Sequence, residues 1–104
     1  MVKVHPCIKK IIDAEPDTYI IFYVPECPFC RRALELLREK KVSYKGYNIH
    51  DIKGGMPRLL EMINKYADWF AFDKNHRTKP IIFKNKKFLG DADQLEEHFK
   101  KITN

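Results

Sequence analysis

The stretch Tyr19-Ile20-Ile21-Phe22-Tyr23-Val24-Pro25-Glu26-Cys27-Pro28-Phe29-Cys30-Arg31-Arg32-Ala33-Leu34-Glu35-Leu36-Leu37 decides how the rest of the chain is read. Residues 19–24 are aromatic or β-branched throughout and show no two-residue alternation, which is the pattern of a strand covered on both faces. Pro25 stops that strand. From Pro28 the residues are good helix formers, and Ala33, Leu34 and Leu37 recur at helical spacing. A helix therefore begins at the cysteine pair, with Cys27 near its N-cap and Cys30 one turn inside.

Working outward, Val4, Ile8, Ile11 and Ile12 predict a short amphipathic helix over residues 5–14, which Glu15-Pro16-Asp17 breaks. Val42 to Ile49 supplies a second strand interrupted by Gly46, and the strand–helix–strand order implies a parallel pair joined by a right-handed crossover. After the loop at Gly54-Gly55, Pro57 is expected to open a helix running through Leu59, Leu60, Ile63, Tyr66 and Ala67 to about Trp69. Residues 80–90 read as a β-hairpin whose turn carries Asn-Lys where Asn-Gly would be more comfortable. Asp91-Ala92-Asp93 can cap a last helix with Leu95, His98, Phe99 and Ile102 as its apolar face. The element order is α-β-α-β-α-β-β-α.

At 104 residues the chain has room for one domain, 1–104, with residues 1–16 as N-terminal helix and lead-in and 18–102 as core. Hydrophobic residues at 44% and charged residues at 33% exclude disordered and fibrous classes. The longest apolar run, Tyr19–Val24, is far short of the roughly 20 residues that cross a bilayer, so no membrane association is expected. No apolar stretch with a cleavage site opens the chain, and a cytoplasmic location is the expectation. The net charge of +6 divides evenly, 10 basic against 7 acidic residues in 1–55 and again in 56–104. Without a basic tail it gives no case for nucleic-acid binding. Lys74, Lys79, Lys84, Lys86 and Lys87 with Arg77 gather around the hairpin, where they either steer acidic partners or form a solvated edge. Trp69, Phe70 and Phe72 are read as packing residues, and no histidine is given a role.

Three cysteines, two of them in a C-x-x-C, point in a reducing compartment to redox or metal chemistry rather than a disulfide framework. Unpaired backbone N–H groups and the helix dipole stabilise a thiolate at the first position, where thiol pKa values fall from about 8.5 to somewhere in the range of roughly 3.5–7.5. Arg31 and Arg32, in the same turn, are candidates to add positive potential and tune that pKa. Cys27 is the expected nucleophile, and Cys30 can then attack a mixed disulfide on Cys27 and release the reduced substrate. A closed zinc site needs four ligands, and Cys7, His5, His50, His76 and His98 contain no second tight pair. Thiol–disulfide exchange is the better reading, with Cys7 a half-buried bystander and no metal expected.

These residues resemble glutaredoxin, of the thioredoxin-fold group. Cys27-Pro28-Phe29-Cys30 matches its dithiol C-P-[YF]-C motif, Thr78-Lys79-Pro80 falls where the family has T-V-P with a cis-proline, and Gly90-Asp91-Ala92-Asp93-Gln94-Leu95 falls on G-G-x-D-D-L. The resemblance implies an α/β thioredoxin-like fold with a four-stranded mixed sheet of order 2-1-3-4 flanked by helices on both faces. It implies a glutathione-disulfide oxidoreductase acting through Cys27 and Cys30 on protein disulfides and glutathione mixed disulfides, with glutathione as reducing co-substrate. By the same resemblance Phe29 contacts glutathione, Lys79 and Pro80 bind its backbone, Arg77 meets its glycyl carboxylate and Asp93 holds the γ-glutamyl end. Thr78 and Gln94 complete the set. A monomer is implied, and ribonucleotide reductase is a candidate client. Two positions depart from the family: Val24 stands where many relatives carry Lys three residues before the nucleophile, and Asp91 replaces the second Gly. They keep open a disulfide reductase of the same fold recharged by a flavoprotein reductase. An iron–sulfur cluster carrier using Cys27 and glutathione is a further alternative.

Overall fold

The computed structural model describes residues 8–13, 17–73, 75–76 and 78–102. The elements are α1 (Ile8–Asp13), β1 (Tyr19–Tyr23), α2 (Pro28–Glu39), β2 (Tyr44–Asn48), a 3₁₀ turn (Ile49–Asp51), α3 (Gly55–Asn64), α4 (Ala67–Phe70), β3 (Ile81–Lys84), β4 (Lys87–Gly90) and α5 (Ala92–Ile102). The strands form one mixed sheet of order β2-β1-β3-β4. β1 pairs parallel with β2 and antiparallel with β3, and β3 pairs antiparallel with β4. This is the expected thioredoxin-like architecture.

The unbroken apolar character of β1 has a direct cause, because each face of the strand belongs to a different core. Ile20, Phe22 and Val24 pack with Ile12, Leu59, Ile63, Phe70, Ile81 and Phe83, while Tyr19 and Ile21 pack with Ala33, Leu37, Ile82, Leu95 and Phe99. Helices α1, α3 and α4 thus cover one face and α2 and α5 the other. β2 is an edge strand, and Gly46 does not interrupt it but pairs with Ile21. The Tyr23 ring lies over that position, only 3.1 Å from where a Cβ would sit.

Several expectations are corrected. The helix predicted from Pro57 to Trp69 starts at Gly55, with Pro57 still in the first turn, where no N–H is needed. It is also two helices: the Tyr66 N–H bonds Ile63 O at 3.0 Å, a tighter turn than the α-helix makes, and the chain restarts at Ala67. The restart buries Ala67 and Phe70, whereas Trp69, read as packing, is half exposed. Ile102, read as part of the apolar face of α5, is 58% exposed. The second strand is shorter than residues 42–49, because Ile49 already belongs to a 3₁₀ turn that Asn48 caps by accepting from the His50 N–H at 2.9 Å. The hairpin closes with Asn85 and Lys86 alone, both at positive φ (51° and 71°), as a turn of this length requires. Asn85 Oδ1 also accepts from the Asp17 N–H at 2.8 Å, tying the turn to the approach to β1. Residues 1–7, which include His5, Pro6 and Cys7, and the ends of the first predicted helix lie outside the described residues.

On the α2–α5 face, the hydroxyl of the fully buried Tyr19 hydrogen-bonds His98 Nε2 at 2.9 Å. Burial, with Lys84 and Lys101 adding to it, holds the His98 pKa below its ordinary value. A histidine with a depressed folded pKa contributes stability that is present above the unfolded value of about 6.5 and is lost as pH falls through the folded one. Between pH 7.5 and pH 5, thermal melts should therefore show a larger loss for the wild type than for His98→Gln, whose amide keeps a partner for Tyr19 without titrating. Parallel losses in the two proteins would contradict this reading.

Candidate active site

The C-terminal end of β1 is where four elements meet. Val24 leaves the strand, Pro25 and Glu26 turn, and Cys27 is the N-cap of α2 with extended dihedrals (φ −84°, ψ 120°) and Pro28 at the first helical position. The turn is closed by the Cys27 N–H donating to Val24 O at 3.2 Å, and the helix by the Arg31 N–H donating to Cys27 O at 3.0 Å. Arg31 also braces the turn from the helix side, its Nε and Nη2 donating to the carbonyls of Pro25 and Glu26 at 3.1 and 3.2 Å.

The two thiols sit in opposite environments. Cys27 is half-buried at the helix end, whereas Cys30 is fully buried with its Sγ 3.5 Å from the Val24 N–H. Partial desolvation is the largest single influence on Cys27 and pushes its pKa up. The Cys30 N–H and thiol, the Phe29 N–H and the charge of Lys79 together outweigh it, and the thiol lies below its ordinary range. For Cys30 burial dominates, the neighbouring Cys27 adds to it, and the thiol is pushed up to about 11. One sulfur is thus the more acidic of the pair and the other keeps its proton, the division of labour that exchange through a mixed disulfide needs.

Beside Cys27 an open groove is lined by Phe29, Thr78, Lys79, Asp91, Ala92 and Asp93. Its volume of about 190 Å³ is below that of pockets that enclose a ligand, roughly 300–1,000 Å³, so it suits an extended molecule laid along the surface. Phe29 is 57% exposed, an apolar platform at the mouth. The far wall is the N-terminus of α5: Asp91 Oδ1 accepts from the Asp93 N–H at 3.0 Å, and Gln94 Oε1 accepts from the Asp91 N–H at 3.0 Å, a reciprocal cap. Gly90, at φ +132°, admits the Gln94 side chain within 2.6 Å of where a Cβ would stand. The Lys79–Pro80 bond is cis, as expected, and Pro80 is buried at the start of β3.

Of the residues singled out in the sequence, the groove brings together Phe29, Thr78, Lys79 and Asp93 beside the cysteines. Arg77 lies outside the described residues. Gln94 does not line the groove, because its side chain is committed to the α5 cap. Asp93 is ion-paired with Arg32. Arg31 donates to the carbonyls of Pro25 and Glu26 and Arg32 pairs with Asp93, while the Lys79 charge also lowers the Cys27 pKa. Sequence reading also missed a hydrogen bond between Glu26 and His50, which joins the active-site turn to the 3₁₀ turn after β2. Its only sequence signal is the parallel register, which sets Tyr23 beside Asn48 and so carries both chains to the same end of the sheet. Among the described residues no three His, Cys, Asp or Glu side chains converge as metal ligands.

Fold and site define a thiol–disulfide oxidoreductase of the thioredoxin fold. The Glutaredoxin family model matches residues 19–89, and the chain belongs to the glutaredoxin family. It is 50% identical over 93 residues to a probable glutaredoxin of Acanthamoeba polyphaga mimivirus, covering 89% of this chain and 88% of that one. Among solved structures it resembles the dithiolic glutaredoxin of Trypanosoma brucei brucei, with a TM-score of 0.71, 26% identity, and coverage of 92% and 89%. A buckwheat glutaredoxin–glutathione complex shares the fold at a TM-score of 0.71 and 17% identity, covering 90% of this chain and 76% of that one.

The asymmetry of the thiols has a simple readout. After brief treatment of the reduced protein with limiting iodoacetamide at pH 7, peptide mapping should find Cys27 alkylated and Cys30 intact until the chain is unfolded. Comparable labelling of Cys30 in the native protein would contradict the assigned environments.

Proposed function

We propose that this protein is a glutathione-dependent oxidoreductase that reduces protein disulfides and glutathione mixed disulfides through Cys27 and Cys30. The observation that carries this reading is the groove beside the Cys27 N-cap, which is lined together by an apolar platform, a cation and an acidic wall. Glutathione is an extended tripeptide with two carboxylates and one amine, and Phe29, Lys79 and the Asp91–Asp93 segment present complementary groups to it. The buckwheat protein of the same fold was solved as a glutathione complex, which supports the reading.

In the proposed cycle the Cys27 thiolate attacks a disulfide sulfur of the substrate, forming a mixed disulfide and expelling the other substrate sulfur as a thiolate that takes a proton from water. Cys30 loses its proton to water and attacks Cys27, releasing the second substrate thiol and leaving a Cys27–Cys30 disulfide. Two electrons have passed to the substrate. One glutathione thiolate opens that disulfide, and a second resolves the glutathione–Cys27 mixed disulfide, so that two glutathiones leave as one glutathione disulfide. The proposal extends to a monomer acting in the cytoplasm on an acidic client, with ribonucleotide reductase as the candidate; the net charge of +6 suits such a partner.

The test is glutathione-dependent reduction of a small glutathione mixed disulfide, coupled through glutathione reductase to NADPH. Wild type should turn over, Cys27→Ser should lose essentially all activity, and Cys30→Ser should keep most of it while losing reduction of a protein disulfide. Wild-type protein that is inert with glutathione but reduces disulfides when supplied with a flavoprotein reductase would overturn the glutathione reading.

A further inference from the structure

The packing of α2 on α5 sets a cation against one wall of the groove. Ala33 and Leu37 of α2 pack with Ala92 and Leu95 of α5 in one core cluster, so Arg32, which precedes Ala33, and Asp93, which follows Ala92, meet at its solvent edge. There Arg32 Nη2 donates to Asp93 Oδ1, and both side chains are exposed. Asp93 lines the groove beside Cys27; Arg32 reaches it from outside that lining. The other acid of the wall, Asp91, is engaged differently, because its Oδ1 accepts from the Asp93 N–H at 3.0 Å and its own N–H donates to Gln94 Oε1. The donor to Asp91 is thus fixed by the α5 cap, whereas the donor to Asp93 is a long side chain in an exposed pair, which a competing cation can displace at small cost.

We propose that Arg32 is a specificity-determining residue, which sets how strongly the groove takes the amine of its ligand by competing with that ammonium for the Asp93 carboxylate. The identity of the ligand rests on the glutathione reading; the competition itself rests on the Arg32–Asp93 contact. A guanidinium and an ammonium seek the same carboxylate oxygens, so a ligand that brings an amine to this wall must displace Arg32 or share Asp93 with it. A ligand whose amine is blocked gains nothing from Asp93 and leaves the pair intact. Arg32 therefore separates disulfides by the charge at their remote end and not by the chemistry of their sulfurs, and specificity is the difference between the two affinities.

The test compares the 2-pyridyl mixed disulfides of glutathione and of glutathione acetylated on its amine, with the full reduced chain in excess. The Cys27 thiolate attacks the glutathione sulfur, the Cys27–glutathione disulfide forms, and the pyridyl sulfur leaves as pyridine-2-thione, whose absorbance gives the rate; only the rate that Cys27→Ser removes is counted. The ratio of the free-amine rate to the acetylated rate should rise roughly two- to fivefold in Arg32→Gln. Asp93→Asn should lower the ratio, and in the Asp93→Asn background Arg32→Gln should no longer raise it. A merely structural disturbance moves both rates together and leaves the ratio unchanged. An unchanged or lowered ratio in Arg32→Gln overturns the proposal, as does a rise that persists without the Asp93 carboxylate. If the ratio responds as expected in a protein that glutathione does not recharge, the assignment of Arg32 stands and the glutathione-dependent cycle fails; if the ratio is unmoved in a protein that turns over with glutathione, the assignment of Arg32 fails alone.

Discussion

An α-helix begins with N–H groups that have no partner inside the helix, and the activity of this protein depends on which atom is placed among them. Here the atom is the Cys27 sulfur. β1 is buried on both faces and cannot shift; Pro25 ends it, Pro28 starts α2 without needing a partner of its own, and Cys27 falls at the N-cap between them. The first turn that exposes Cys27 also turns Cys30 inward, to a site with no exposure, where burial keeps its proton on. A single helix start thus prepares a nucleophile and a resolving thiol from two chemically identical residues.

The other elements gather at that junction because of the sheet order. β2 runs parallel to β1 and delivers His50 to the same end, where it pairs with Glu26. β3 runs antiparallel and so begins where β1 finishes, placing Thr78, Lys79 and Pro80 beside the cysteines. β4 leads straight into α5, whose capped first turn supplies the far wall. The groove is a consequence of topology: its lining residues come from sequence positions far apart, joined only through one sheet.

The sequence was legible where local chemistry and tertiary demand agree. The apolar run of β1, the helix formers after Pro28 and the three motifs gave fold class, sheet order, both cysteines and most of the groove. What was not legible depends on partners distant in sequence. The hinge at Lys65–Tyr66 follows from burying Phe70 against Phe83 while leaving Tyr66 and Trp69 outside, and no local breaker marks it. That Gln94 closes the α5 cap rather than lining the groove could not be read without seeing its side chain. Arg31 and Arg32 are near Cys27 in sequence, but their guanidiniums are claimed by backbone carbonyls and by Asp93. Lys79, far from Cys27 in sequence, adds a charge that also lowers the thiol pKa.

The central claim is that one cysteine of the pair is acidic because it caps a helix and the other is not because it is buried. The most direct test is an ultraviolet titration of thiolate absorbance in the reduced protein, in parallel with Cys27→Ser and Cys30→Ser. One thiolate should appear below the ordinary thiol range, persist in Cys30→Ser and vanish in Cys27→Ser, while the Cys30 signal emerges only in strongly alkaline solution. Two thiols titrating together in the ordinary range would contradict the account.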